Sequence, residues 1–336
     1  MILDCHRHVI PAGMLTGAVP DDWRPVLGSD AGNRVVSFQG RRLTSVTGEF
    51  ADVGVILEEA GEAGVSHLLL SPRILLIPVL AEPALAARIC RVQNDSLAQA
   101  AAGYPGGRVL GLGAVPLQDP ALAVAELEYL MTLPGMRGVE VPASVAGRYL
   151  GDDLFAAFWA AAADTGAVVF VHPTTTGLGL SALDDGYLWN SVGNPLETTI
   201  AAAQLVVSGV LARHPELSVL LAHGGGALPA LRGRLRRAFA VRPEAQTGCT
   251  ADPGDQLRGL YYDSLTHDRA VLADLVSFAG AGQVLLGSDA PFDMGAGQPA
   301  AEIRGLGLSQ PDEQLILGGN ARRLLRIPTD QTGDCR

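Results

Sequence analysis

Four of the seven histidines in this 336-residue chain fall at the ends of short apolar runs. His6 and His8 lie two residues apart in LDCHRHV, a spacing that on a strand projects both imidazoles from one face. His172 ends VVFVH and His223 ends SVLLAH, while Asp289 ends VLLGSD. Three neutral imidazoles (His6, His8, His172) and the Asp289 carboxylate form an N3O ligand set. That set suits zinc first, and manganese, iron or cobalt less exclusively. An HxH pair alone reads more readily as two core or surface histidines. The coincidence of five such groups at run ends is what outweighs that reading.

Asp289 can be a ligand, a base or both, or can simply cap the following loop. His223 opens HGGGALP, whose glycines let backbone and substrate come close. Imidazole titrates near neutral pH, so His223 is the expected general acid or base on a water at the metal. Otherwise it is a core histidine bonded to a carbonyl. His67, His214 and His267 do not fit the pattern as cleanly.

These side chains need elements that bring distant residues to one rim. Apolar strand candidates span Ile2–His6, Ser66–Ser71, Val109–Pro116, Gly138–Pro142, Val168–His172, Ser218–His223, Leu260–Asp263 and Val284–Asp289. Helix candidates alternate with them near Ala51–Ala63, Leu80–Ala102, Ala121–Thr132, Leu154–Ala163, Leu196–His214, Ala230–Ala240, Arg269–Phe278 and Pro311–Leu325. Unbroken apolar strands are buried on both faces, as in parallel sheets. Eight βα repeats predict an α/β fold, a closed (β/α)8 TIM-type barrel. Its active site then lies at the C-terminal strand ends.

Residues 11–49 interrupt the repeat after the first strand. VVSFQGRRLTSV within them predicts a small β-hairpin, read as a lid-like insertion. A second long loop, Thr174–Pro195, follows the fifth strand, and long loops in compact domains are usually functional or mobile. The expected organisation is one metal-dependent hydrolase barrel over 1–328 and a flexible tail over 329–336.

Composition removes several chemistries. All 24 basic residues are arginine, so there is no lysine for a Schiff base, a phosphate-binding P-loop or a carbamylated metal bridge. A formal charge of −11 argues against nucleic acid as a partner. No apolar run reaches the length of a membrane span and no signal peptide is evident, so a cytoplasmic location is expected. Cys5, Cys90, Cys249 and Cys335 show no paired spacing and read as free thiols.

In order along the chain stand DCHRHVIP (from Asp4), NDSLA (Asn94), GLGAVPLQDP (Gly111), FVHP (Phe170), NPLETT (Asn194), AHGGGALP (Ala222), YYDSLTHD (Tyr261), LLGSDAPF (Leu285) and GGNARRLL (Gly318). By these motifs the chain resembles the amidohydrolase-related decarboxylases of the aminocarboxymuconate-semialdehyde decarboxylase type. That resemblance implies a non-oxidative decarboxylase of a small aromatic or unsaturated carboxylic acid. It implies one divalent ion, usually zinc, on His6, His8, His172 and Asp289, with a water as a further ligand and His223 as acid and base. Hydrolysis of a lactone or amide, or hydration of a double bond, is the alternative at the same site. Arg234 matches an arginine that reaches into a neighbouring subunit, which implies a homodimer. The family's second carboxylate-binding arginine falls here on Thr47, a departure that argues against aminocarboxymuconate semialdehyde itself. Arg41, Arg42 or Arg73 could replace it, with Arg73 best placed at the rim. Trp189 could stack on a planar substrate.

Overall fold

A computed structural model describes residues 1–30, 33–42, 49–174 and 177–328. Thr47 and the tail 329–336, with Cys335, lie outside the described residues, as does the side chain of Arg41.

Thirteen strands follow one another among the described residues. They are β1 (Leu3–Val9), β2 (Val26–Asp30), β3 (Asn33–Phe38), β4 (Arg41–Arg42), β5 (His67–Pro72), β6 (Val109–Gly113) and β7 (Met136–Pro142). Then come β8 (Ser144–Val145), β9 (Arg148–Tyr149), β10 (Val168–His172), β11 (Ser218–Leu221), β12 (Tyr261–Asp263) and β13 (Val284–Leu285). Eight of them form one sheet in the order β1-β5-β6-β7-β10-β11-β12-β13. The pairings are parallel. Cys5 N donates to Leu286 O and His8 N to Ala290 O, which ties the last strand back to the first and closes the barrel.

Side-chain alternation divides the core. Leu3, Cys5, Leu69, Leu110, Leu112, Val168, Phe170, Leu220 and Leu285 fill the barrel interior. The opposite strand faces pack on the surrounding helices, around Trp159, Leu127 and Tyr262. Several helices begin where the sequence supplies a carboxylate cap. Asp52 accepts from Gly54 N and Val55 N to start Val53–Glu62, and Asp119 with Pro120 starts Pro120–Leu130. Asp268 accepts from Ala270 N and Val271 N to start Arg269–Ala279.

The expected elements are all present, with local differences. The helix expected over Leu196–His214 breaks into Asn194–Val207 and Val210–Arg213 at Gly209, whose φ is +78°. The last predicted strand stops at Leu285, and the backbone turns through Asp289 at φ +56°. Short helices at Pro253–Gly259 and Pro299–Arg304 have no apolar periodicity long enough to announce them. The hairpin turns at Gln39-Gly40, both at positive φ, and β2 adds a third antiparallel strand to it.

Candidate metal centre

The site begins with an irregularity in β1. Leu3 and Cys5 point into the barrel, so strict alternation would turn His6 and His8 outward. The register of β1 against β5 shifts between Asp4 and Arg7. One extra residue there reverses the alternation and aims both histidines inward. Asp4, fully buried, accepts from His6 N at 3.1 Å and so satisfies a backbone donor at the bulge. It also accepts from Ser288 N at 3.0 Å and from the Ser288 hydroxyl, which joins the bulge to the rim beside Asp289.

His6, His8, His172 and Asp289 are all buried, and one ligand atom of each lies within 4.8 Å of the others. His6 Nε2 is 3.1 Å from His8 Nε2, and Asp289 Oδ1 lies 3.3 Å from the first and 3.1 Å from the second. The opposite ring nitrogens are engaged elsewhere. His6 Nδ1 donates to Asp263 Oδ2 at 2.6 Å, His8 Nδ1 to Pro72 O at 3.3 Å and His172 Nδ1 to Pro173 O at 2.8 Å. With protons held at Nδ1, the Nε2 lone pairs meet one another and a carboxylate. His172 Nε2 and Asp289 Oδ1 are buried with no hydrogen-bond partner. Acceptors converging on acceptors are costly unless a cation lies among them. The donor set therefore fits a divalent metal ion, and the acceptors behind each ring are the outer support such sites need.

Burial acts to raise the Asp289 pKa, but His6, His223 and His8 together hold it well below its ordinary 3.8. Burial lowers His172 well below 6.5, and the neighbouring imidazoles add to this. Glu140, on β7, is fully buried, with its carboxyl 3.7 Å from His8 Nδ1 and 3.9 Å from His172 Nδ1. Desolvation pushes its pKa up to about 8.

His223 stands beside this group. Its Nε2 is 3.4 Å from Asp289 Oδ2, and its Nδ1 is buried without a partner. Its φ is +56°, and its N–H donates to Asp263 Oδ2 at 2.9 Å while Gly224 N donates to Oδ1 at 2.7 Å. Asp263 thus fixes His6 and the His223 turn together, a role that sequence reasoning missed. Its place at the end of a strand candidate was the available signal.

Above these groups lies a small chamber of about 40 Å³, lined by Arg73, Tyr187, Trp189, Asn194 and Phe292 besides the polar set. It shares His223, Asp289, Asn190, Asn194 and Met294 with an outer cavity of about 560 Å³. Arg73 is buried, and its guanidinium lies 4.8 Å from the centre of the Phe292 ring. Burial lowers its pKa to about 10, still charged at neutral pH. Trp189 packs edge-on to Tyr187. The structure thus brings Arg73 and Trp189 to the polar set, whereas Arg234 lies exposed on the helix Leu228–Val241, away from this chamber.

A family model described as amidohydrolase matches residues 3–327. The 2-amino-3-carboxymuconate-6-semialdehyde decarboxylase of Dictyostelium discoideum is 31% identical over 278 residues, covering 82% of this chain and 77% of that one. The solved 5-carboxyvanillate decarboxylase of Sphingomonas paucimobilis superposes with a TM-score of 0.80 at 24% identity, over 98% of this chain and 99% of that chain. A dihydroxybenzoic acid decarboxylase from Polaromonas, solved with manganese and 2-nitroresorcinol, gives a TM-score of 0.76 at 24% identity, over 97% of this chain and 96% of that chain. These two likenesses speak for the barrel, and the resemblance drawn from the motifs holds across its length. The chain belongs to the amidohydrolase family.

Proposed function

We propose that this protein is a metal-dependent, non-oxidative decarboxylase of a small aromatic or unsaturated carboxylic acid. The observation that carries the reading is the convergence of three Nε2 atoms and a carboxylate beside His223, inside a chamber walled by aromatic rings and a buried arginine. His6, His8, His172 and Asp289 would hold the ion, zinc being our first expectation and manganese the ion of one structural neighbour. When bound, the ion supplies Lewis acidity that stabilises negative charge developing on the substrate.

The remaining work belongs to the chain. Arg73 would pair with a substrate carboxylate, and Trp189 and Phe292 would flank a planar ring. The bond to the carboxylate carbon breaks and its electron pair stays on the carbon left behind. That carbon then takes a proton from His223, which solvent replaces. Asp289 orients His223 Nε2 for this transfer.

The family resemblance supports a homodimer in which Arg234 serves the neighbouring site, and Thr47 in place of an arginine supports a substrate other than aminocarboxymuconate semialdehyde. We take 1–328 as one functional unit. A cytoplasmic location is supported by three buried free cysteines. No helix among the described residues is long and apolar enough to cross a membrane.

Turnover of candidate aromatic acids in deuterated water tests the reading. It predicts release of CO2 with deuterium at the vacated carbon. Addition of water without CO2 would make the protein a hydrolase or hydratase.

A further inference from the structure

Asn194 lines both the small chamber and the larger cavity. Only 4% of its surface is exposed, and its Oδ1 is buried with no hydrogen-bond partner. A buried amide oxygen left in this state is costly, so something else ordinarily meets it.

The backbone explains how the side chain comes to be there. Trp189–Gly193 forms a π-turn, and Asn194 N donates to Trp189 O, five residues back. Pro195 has no N–H to donate to the carbonyl four residues back, and its ring would crowd that carbonyl. Widening the turn relieves both problems, and such turns recur at functional sites. The same turn carries Trp189 and Asn190, which also face the chamber.

We infer that Asn194 is a specificity-determining residue that hydrogen-bonds a hydroxyl on the acid substrate. This inference rests on the acid-binding reading of the same site. A hydroxyl can donate to Oδ1 and can equally accept from the amide N–H, so it satisfies either orientation of the side chain. With Oδ1 facing the chamber, a second carboxylate would be repelled by it, and a methyl or methoxy group would leave it unmet. A site built to bond a hydroxyl discriminates strongly against the analogue that lacks it.

The test is calorimetric binding to the metal-loaded protein of 2-, 3- and 4-hydroxybenzoate, each paired with its methyl ether, and of benzoate. The wild type should bind at least one hydroxy acid on the order of tenfold tighter than its ether. Asn194→Leu should bring that ratio to about one, and Asn194→Ser should retain part of it. Metal content and circular dichroism of each variant establish that the site is assembled. Persistence of the ratio in Asn194→Leu, or no ratio in the wild type, overturns the inference and leaves the acid-binding reading standing. Binding of metal but of none of the acids overturns both.

Discussion

His6 Nδ1 lies 2.6 Å from Asp263 Oδ2, a fully buried contact across 257 residues of sequence. The same carboxylate accepts from the backbone of His223 and Gly224. One side chain therefore orients His6 and the His223 turn at once. Asp263→Asn should weaken metal affinity by roughly 10- to 100-fold. Competition with a chromophoric chelator reads this, and unchanged affinity would show that the contact is not a support of the site.

The ligands and His223 should separate in mutants. His6→Ala and Asp289→Ala should lose metal and activity together. His223→Ala should keep most of the metal and lose activity by about 100-fold or more. If His223→Ala emptied the site, the division of roles between it and Asp289 would be wrong.

Stability should depend on pH in a metal-sensitive way. Burial acts to lower the His6 pKa, but the Asp289 and Asp263 carboxylates reverse this and raise it well above 6.5. A raised imidazole value contributes stability that is complete below about 6.5 and lost as pH rises through the folded-state value. The proton on His6 also competes with the cation. The gain in melting temperature on adding zinc should therefore widen from mildly acidic to mildly alkaline pH. A gain that narrows instead would contradict this sign.

Gly226, in the HGGG run, has φ +63°, and a Cβ there would stand 2.0 Å from Pro195 O and 2.7 Å from Thr199 Oγ1. The backbone of Pro195 cannot yield without moving Asn194. Gly226→Ala should cost roughly 1–3 kcal/mol in denaturant melts. A cost under about 0.5 kcal/mol would mean that the helix start is more yielding than its geometry indicates.

The parts of the site readable in the sequence are those whose chemistry is carried by residue type at a strand end, namely His6, His8, His172, His223 and Asp289. Apolar runs located the strands because a parallel barrel buries both strand faces. The bulge in β1 was not readable, because nothing in LDCHRH distinguishes a strand that slips from one that alternates. Asp263 and Glu140 lay in strand candidates, but support for a ligand depends on which strands are neighbours and at what register. Asn194 was legible only as part of NPLETT, since its inward direction follows from a π-turn that Pro195 favours but does not announce.

The most direct test is elemental analysis of the purified, zinc-supplemented protein together with an anomalous scattering map. About one divalent ion per chain is expected, at roughly 2.0–2.2 Å from Nε2 of His6, His8 and His172 and from an Asp289 oxygen. Absence of metal after supplementation, or a peak away from these four side chains, would contradict it.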